Sequence, residues 1–205
     1  MCAIFGSPNP QSFLNLYEIN KHRGGYSYSI MYFDKNLKVL NIIQSYDEFP
    51  TNVEKSGTSY YLGHIQAPTD GIGSRCKIHP AHLGADYLYH NGQIKSRSIE
   101  PGIWDTEFIL SRLLEGHTVD YNKALHDLDG SFACIHINTT LNSIKMFTNQ
   151  TCALHSSNLD ISSTKADGFR RLSPCTIYNF DYTGITVESE FDNIDRTYFI
   201  PTKKE

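Results

Sequence analysis

Six residues at the start of the chain, Met1-Cys2-Ala3-Ile4-Phe5-Gly6, place a thiol directly behind the initiator methionine. The small Cys2 side chain permits removal of Met1 by an aminopeptidase. That would leave a thiol nucleophile and a free α-amine on one residue. The amine has an ordinary pKa of roughly 7.7–8.0, near enough to neutrality to take the thiol proton directly or through a water. The same six residues also read as a small buried hydrophobe beginning a strand. Farther along, His90-Asn91-Gly92 offers an amide and a backbone that can approach closely, and it reads equally well as a type I′ hairpin turn without chemistry. Asp105 stands at a helix entrance, where a carboxylate caps the first turn or faces a ligand.

Composition narrows what such residues could do. The chain has 205 residues, 40% hydrophobic and 20% charged, which suits one well-cored globular domain. Its formal charge of −4 gives no basic field for nucleic acid or anionic lipid. No segment approaches the roughly 20 apolar residues of a membrane helix, and the N-terminus lacks the pattern of a secretory signal. The five cysteines are odd in number and scattered without a Cys-x-x-Cys pair. Reduced thiols and a cytoplasmic location are therefore expected. Nine histidines, chiefly His79-x-x-His82 with His64 and His90, invite a metal reading. No carboxylate or cysteine stands at a ligand spacing with them, so neither a metal nor another cofactor is expected. Gly71-Ile72-Gly73 lacks the lysine of a phosphate loop.

The elements that must position these residues follow from periodicity. Phe13, Leu14, Tyr17 and Ile19 predict a helix over 11–20, stopped by His22-Arg23-Gly24-Gly25, where glycine allows left-handed backbone or close approach. Strands are predicted over 26–33 and 37–44, joined at Asp34-Lys35-Asn36, and over 60–65. The Pro/Gly-punctuated loop from Gln66 to Gly73 follows at the end of that strand, a usual place for binding residues. A strand over 86–90 breaks at Asn91-Gly92 and resumes at Gln93-Ile94. Trp104, Phe108, Ile109, Leu110, Leu113 and Leu114 give a helix with Asp105 as its N-cap, and a second short helix spans 121–128. Strands return at 131–137, 143–148, 152–155, 159–163, 175–180 and 184–187, with a polar or helical piece at 165–172. Two sheets with helices packed outside them are expected, followed by a loose tail.

Taken in order, Met1-Cys2-Ala3-Ile4-Phe5-Gly6, His22-Arg23-Gly24, Gly63-His64, Asp70-Gly71, His79-Pro80, His90-Asn91-Gly92, Asp105-Thr106-Glu107 and Leu128-Asp129-Gly130-Ser131-Phe132-Ala133 resemble the glutaminase domain of class II glutamine amidotransferases. These are N-terminal-nucleophile hydrolases. The resemblance implies an α+β fold, a four-layer αββα sandwich of two mainly antiparallel sheets. The domain would cover 2–190, with 191–205 as a C-terminal tail. By position Cys2 is the nucleophile that forms a thioester with a side-chain amide, with its own α-amine as base and Arg23 beside it. Asn91 and Gly92 supply the oxyanion hole, and Asp105 pairs with the α-ammonium of glutamine.

One position departs from the family. Gln66 stands where glutamine-using members place an arginine on the substrate carboxylate, and an amide brings neither charge nor a rigid fork. Thr69 aligns with a family threonine in the same loop and keeps part of that contact, and Arg75 is a nearby replacement cation. The expected activity is hydrolysis of the glutamine side-chain amide, without a cofactor. A separate synthase or ligase subunit would receive the ammonia, because the chain ends with the glutaminase fold. The alternatives are another γ-glutamyl or amide substrate, or a binding or assembly subunit that has lost turnover.

Overall fold

The computed structural model describes residues 2–67, 77–95, 99, 102–116 and 118–194. Among them two antiparallel sheets lie face to face. The first contains β1 (Ala3–Ser7), β2 (Ser27–Phe33), β3 (Val39–Ser45), β4 (Tyr60–Gln66), β9 (His155–Ser157), β10 (Asp160–Ser162) and β11 (Arg170–Arg171), in spatial order β11-β9-β10-β1-β4-β2-β3. The second contains β5 (Ala81–Leu83), β6 (Asp86–Ile94), β7 (Gly130–Asn138), β8 (Ser143–Thr148), β12 (Thr176–Asp181) and β13 (Gly184–Glu190), in order β13-β12-β8-β7-β6-β5. Helix α1 (Pro10–Asn20) covers the outer face of the first sheet. Helices α2 (Asp105–Leu113) and α3 (Tyr121–Leu125) cover the second. This is the expected αββα sandwich.

Strand alternation assigns the layers, because successive side chains leave a strand on opposite faces. Ile4 of β1, Met31 and Phe33 of β2, and Leu62 of β4 meet Tyr89, Ile135, Ile137 and Met146 of the second sheet in the inter-sheet core. Their neighbours Ala3, Phe5, Ile30, Tyr32 and Tyr61 face Phe13 and Leu16 of α1. On the far side Leu88, Phe132, Cys134 and Phe147 pack under Ile109, Leu110, Leu113 and Leu125. β2 and β4 are buried along their whole length, since both faces of the first sheet are covered there.

Helix α1 begins one residue earlier than its periodicity suggests. The Asn9 side chain accepts Ser12 N–H at 2.9 Å, and Pro10 occupies the first turn, where no N–H is needed. Two expected local features are corrected. The hairpin at Asn91-Gly92 does not form: β6 runs unbroken through both residues and pairs with β7 along its length, Asn91 opposite Ala133 and Gly92 opposite Phe132. The strand placed at 152–155 starts only at His155, because Asn149 Oδ1 takes the N–H groups of Thr151 and Cys152 at 3.3 Å, removing them from any ladder. The piece at 165–172, expected to be polar or helical, is a polar turn leading into β11. The described start of the tail is tied down. Phe191 is buried against Phe132 and Phe147, and the Asn193 amide donates to the carbonyls of Leu125 and Leu128.

Candidate active site

Alternation also gathers the chemistry. Cys2 precedes β1 in phase with the inward-facing Ile4, and His64 and Gln66 of β4 share that phase with Leu62. Asn91 of β6 shares the inward phase of Tyr89, whereas His90 and Gly92 face the α2 side. Residues from opposite sheets therefore reach one inter-sheet layer at the end of β1.

Cys2 is buried, and its Sγ lies 3.6 Å from the Ala67 carbonyl. The Arg23 Nε donates to the Cys2 carbonyl at 3.0 Å. Arg23 closes a short 3₁₀ turn over Lys21–Arg23, and Gly24 follows with extended backbone. A Cβ at Gly24 would stand 2.7 Å from the Gln66 carbonyl carbon, so glycine is needed there for close approach and not for handedness. Burial pushes the Cys2 thiol above its ordinary value, the Asp105 carboxylate adds to this, and the Arg23 guanidinium opposes it. A thiol in that state needs a base before it can attack.

The Asn91 Nδ2 donates to Ser163 Oγ at 3.2 Å, and the same oxygen accepts Ile4 N–H at 2.9 Å. Gly92 follows at φ +150°, and an added Cβ would stand 2.0 Å from the Ser131 carbonyl oxygen. Asp105 is the first helical residue of α2, with Trp104 at the cap position in place of the expected Asp105. Its carboxylate turns back to Ile94 N–H at 3.4 Å and to the His90 ring at 3.7 Å. Burial raises its pKa, but the His90 ring and the Ile94 and Thr106 amides outweigh burial and hold the carboxyl below its usual range.

Gln66 is turned inward. Its Oε1 accepts Ser27 O–H at 3.1 Å and faces His79 Nδ1 at 3.5 Å. The His79 Nε2 lies 3.0 Å from Thr106 Oγ1, which stands 3.4 Å from both His90 Nδ1 and Asp105 Oδ1. A buried polar chain thus runs from Gln66 to Asp105. Sequence reading missed Thr106, Ser27 and Ser163 as members of the site, since their partners lie on other elements with no fixed spacing. Thr69 and Arg75 lie outside the described residues, as does Cys76. Among the described residues, no group of three or more His, Cys, Asp or Glu side chains could hold a metal ion. No helix there is long and apolar enough to cross a membrane.

The histidines carry a consequence for acid stability. The His64 and His79 rings lie with centroids 4.0 Å apart, tilted by 33°, and His64 Nε2 donates to the His90 carbonyl at 3.3 Å. Burial lowers His64 to about 3 and holds His79 well below its ordinary value. In the unfolded chain both take up protons near pH 6.5. Their neutral burial therefore favours folding above that pH, and the contribution is lost as pH falls from about 6.5 towards 3. Each lost proton amounts to about 1.4 kcal/mol per pH unit. We expect the protein to be about 3 kcal/mol less stable at pH 5.5 than at pH 7.5 from this pair. Urea unfolding at the two pH values checks it, and His64→Gln should remove about half of the difference.

No protein-family model matches this sequence, and no curated protein matches it. Solved structures do. Glutamine phosphoribosylpyrophosphate amidotransferase from B. subtilis superposes with a TM-score of 0.66 at 16% identity, over 92% of this chain and 49% of that one. The chain thus spans about half the length of that structure. A glutamine aminotransferase class-II domain protein from Silicibacter pomeroyi matches at 10% identity over 94% of this chain and 100% of that one, TM-score 0.48. A predicted glutamine amidotransferase from Pseudomonas aeruginosa PA01 matches at 13% identity over 90% and 94%, TM-score 0.48. The described architecture, two antiparallel sheets face to face with helices outside them, is the fold of the matched part of that B. subtilis amidotransferase.

Proposed function

We propose that this chain, which has the fold of the class II glutamine amidotransferases, hydrolyses the side-chain amide of glutamine through a thioester on Cys2. Met1 is removed, and the freed α-amine of Cys2 takes the thiol proton. Sulfur attacks the amide carbon, a C–S bond forms, and the carbonyl oxygen gains the charge. Asn91 Nδ2 and Gly92 N–H receive that oxyanion. The protonated amine gives its proton to the leaving nitrogen, and ammonia departs as the C–N bond breaks. A water activated by the same amine then cleaves the thioester, yielding the carboxylic acid and restoring the thiol. Arg23 holds the Cys2 carbonyl and so the backbone of the nucleophile. Asp105 pairs with the substrate ammonium. No cofactor enters, and the ammonia passes to a separate synthase or ligase subunit.

The observation that supports this reading most is Ser163, tied both to Ile4 of the nucleophile strand and to the Asn91 amide, with Cys2 and Asn91, 89 positions apart, in phase with the inter-sheet layer. Asp105→Asn tests substrate recognition. A charge-assisted contact contributes about 1.5–3 kcal/mol, so KM for glutamine should rise roughly 10- to 100-fold with a smaller change in kcat. An unchanged KM removes Asp105 from the substrate site.

A second reading, hydrolysis of another γ-glutamyl or amide compound, draws on Gln66. Its carbonyl oxygen is already engaged by Ser27 and His79, and the residue is 5% exposed. Substrate profiling, including γ-glutamyl amides that lack a free α-carboxylate, separates the two readings.

A further inference from the structure

We infer that Ser163 is a positioning residue for the oxyanion hole, holding the Asn91 amide in register with the nucleophile strand. This rests on the proposed role of Asn91. Ser163 directly follows β10 and is buried. Its backbone N–H donates to the Ile4 carbonyl at 2.8 Å, and its Oγ accepts Ile4 N–H at 2.9 Å. Ile4 therefore meets Ser163 twice, which fixes the hydroxyl against β1 two residues from Cys2. The same oxygen then accepts the Asn91 Nδ2 at 3.2 Å from the opposite sheet. One hydroxyl thus bridges the strand that carries the sulfur and the strand that carries the oxyanion donor.

The hydrogen count gives the bridge its meaning. An amide nitrogen carries two hydrogens, and a hydroxyl oxygen accepts two bonds. Ile4 and Asn91 fill both acceptor positions of Ser163. One Nδ2 hydrogen is spent on that bond, which turns the amino end of the amide towards Ser163 and leaves the second hydrogen for the developing oxyanion. Without the hydroxyl the amide is free to rotate, and its carbonyl end would face the oxyanion repulsively. Donors act in the transition state only when they are already aimed where the charge appears. The effect of losing Ser163 should therefore fall on kcat and leave KM nearly unchanged.

The test uses the full chain with Met1 removed and ammonia release from L-glutamine as the assay. Loss of an oxyanion donor costs about 10²–10³ in turnover, so Ser163→Ala, which misorients that donor, should lower kcat about 10-fold or more. Ser163→Thr, which returns the acceptor, should recover most of it. In an Asn91→Ala background Ser163→Ala should have no further effect on kcat, because the two act as one unit. Thermal unfolding of each variant reads the contribution of the Ile4 bond separately. If Ser163→Ala fails to fold, Ser163→Cys keeps the volume with a weak acceptor and should show the same kcat loss and the same non-additivity. Full turnover in folded Ser163→Ala or Ser163→Cys, while Asn91→Ala is impaired, overturns the inference alone. Additive losses overturn it too. Absence of turnover in the parent protein, or full turnover in Asn91→Ala, overturns the proposed function and this inference with it.

Discussion

Cys2→Ala should abolish ammonia release from glutamine, by at least about 10⁴-fold, because in the proposed mechanism the sulfur forms the bond on which both half-reactions depend. The variant should remain folded. Deleting one buried sulfur leaves a void smaller than that of a typical large-to-small core substitution, costing about 1 kcal/mol, and the strand stays anchored by Arg23 at the Cys2 carbonyl and Ser163 at Ile4. Activity and stability are thus separable at this residue, which is unusual for a buried position. Cys2→Ser makes a sharper comparison. The hydroxyl keeps the shape, but its much higher pKa leaves the α-amine a poor match as base. It should fold like the parent and fall nearly as far in rate. Ammonia release measured beside the denaturant midpoint reads both halves of the prediction. Turnover persisting in Cys2→Ala would remove this residue from the chemistry.

Gly92→Ala should have the largest effect on the fold. The residue lies in mid-strand at φ +150°, a conformation that L side chains rarely adopt. The added methyl would also stand 2.0 Å from the Ser131 carbonyl oxygen, 2.6 Å from its carbon and 2.9 Å from His90 Nε2. The first two are backbone of the paired strand and cannot swing away. β6 and β7 must separate locally, at the position that presents the Gly92 N–H. We expect a loss of about 4 kcal/mol or more, or failure to accumulate soluble protein. Gly84→Ala is the control. It too has positive φ, +63°, but nothing lies within 4 Å of an added Cβ, so only backbone strain of about 1–3 kcal/mol remains. Unfolding midpoints close to one another in the two variants would show that contact with Ser131 is unimportant.

Gly92 also shows where sequence reading succeeds and where it stops. The dipeptide Asn91-Gly92 between apolar runs is a local hairpin signal, and locality misled: the glycine is demanded by the close approach of β7 across the sheet. A strand can present an amide and an N–H as well as a turn can, so the role proposed for that pair does not depend on the hairpin. Alternation along β1, β4 and β6 sends Cys2, Gln66 and Asn91 into one layer, but the sequence reading ended β4 before Gln66 and broke β6 at Asn91, so their common layer was not legible. The helix entrance at Asp105 was legible to within one residue.

Ser163 was not legible. It sits in Ser162-Ser163-Thr164, without a motif, and its partners are 159 and 72 positions away. Likewise the polar chain from Gln66 through His79 and Thr106 to Asp105 depends on how β4, the segment before β5 and α2 converge, which no spacing encodes. Such contacts are set by tertiary register and become visible only in three dimensions.

The central claim is that Cys2, freed of Met1, is the nucleophile of an amide hydrolase. Intact-mass and peptide mass spectrometry of protein purified from cells, before and after treatment with the glutamine-analogue electrophile 6-diazo-5-oxo-L-norleucine, tests it most directly. The protein should begin at Cys2 and carry a single adduct on that residue, absent from Cys2→Ala. A retained Met1, or an adduct that forms elsewhere and persists in Cys2→Ala, would contradict it.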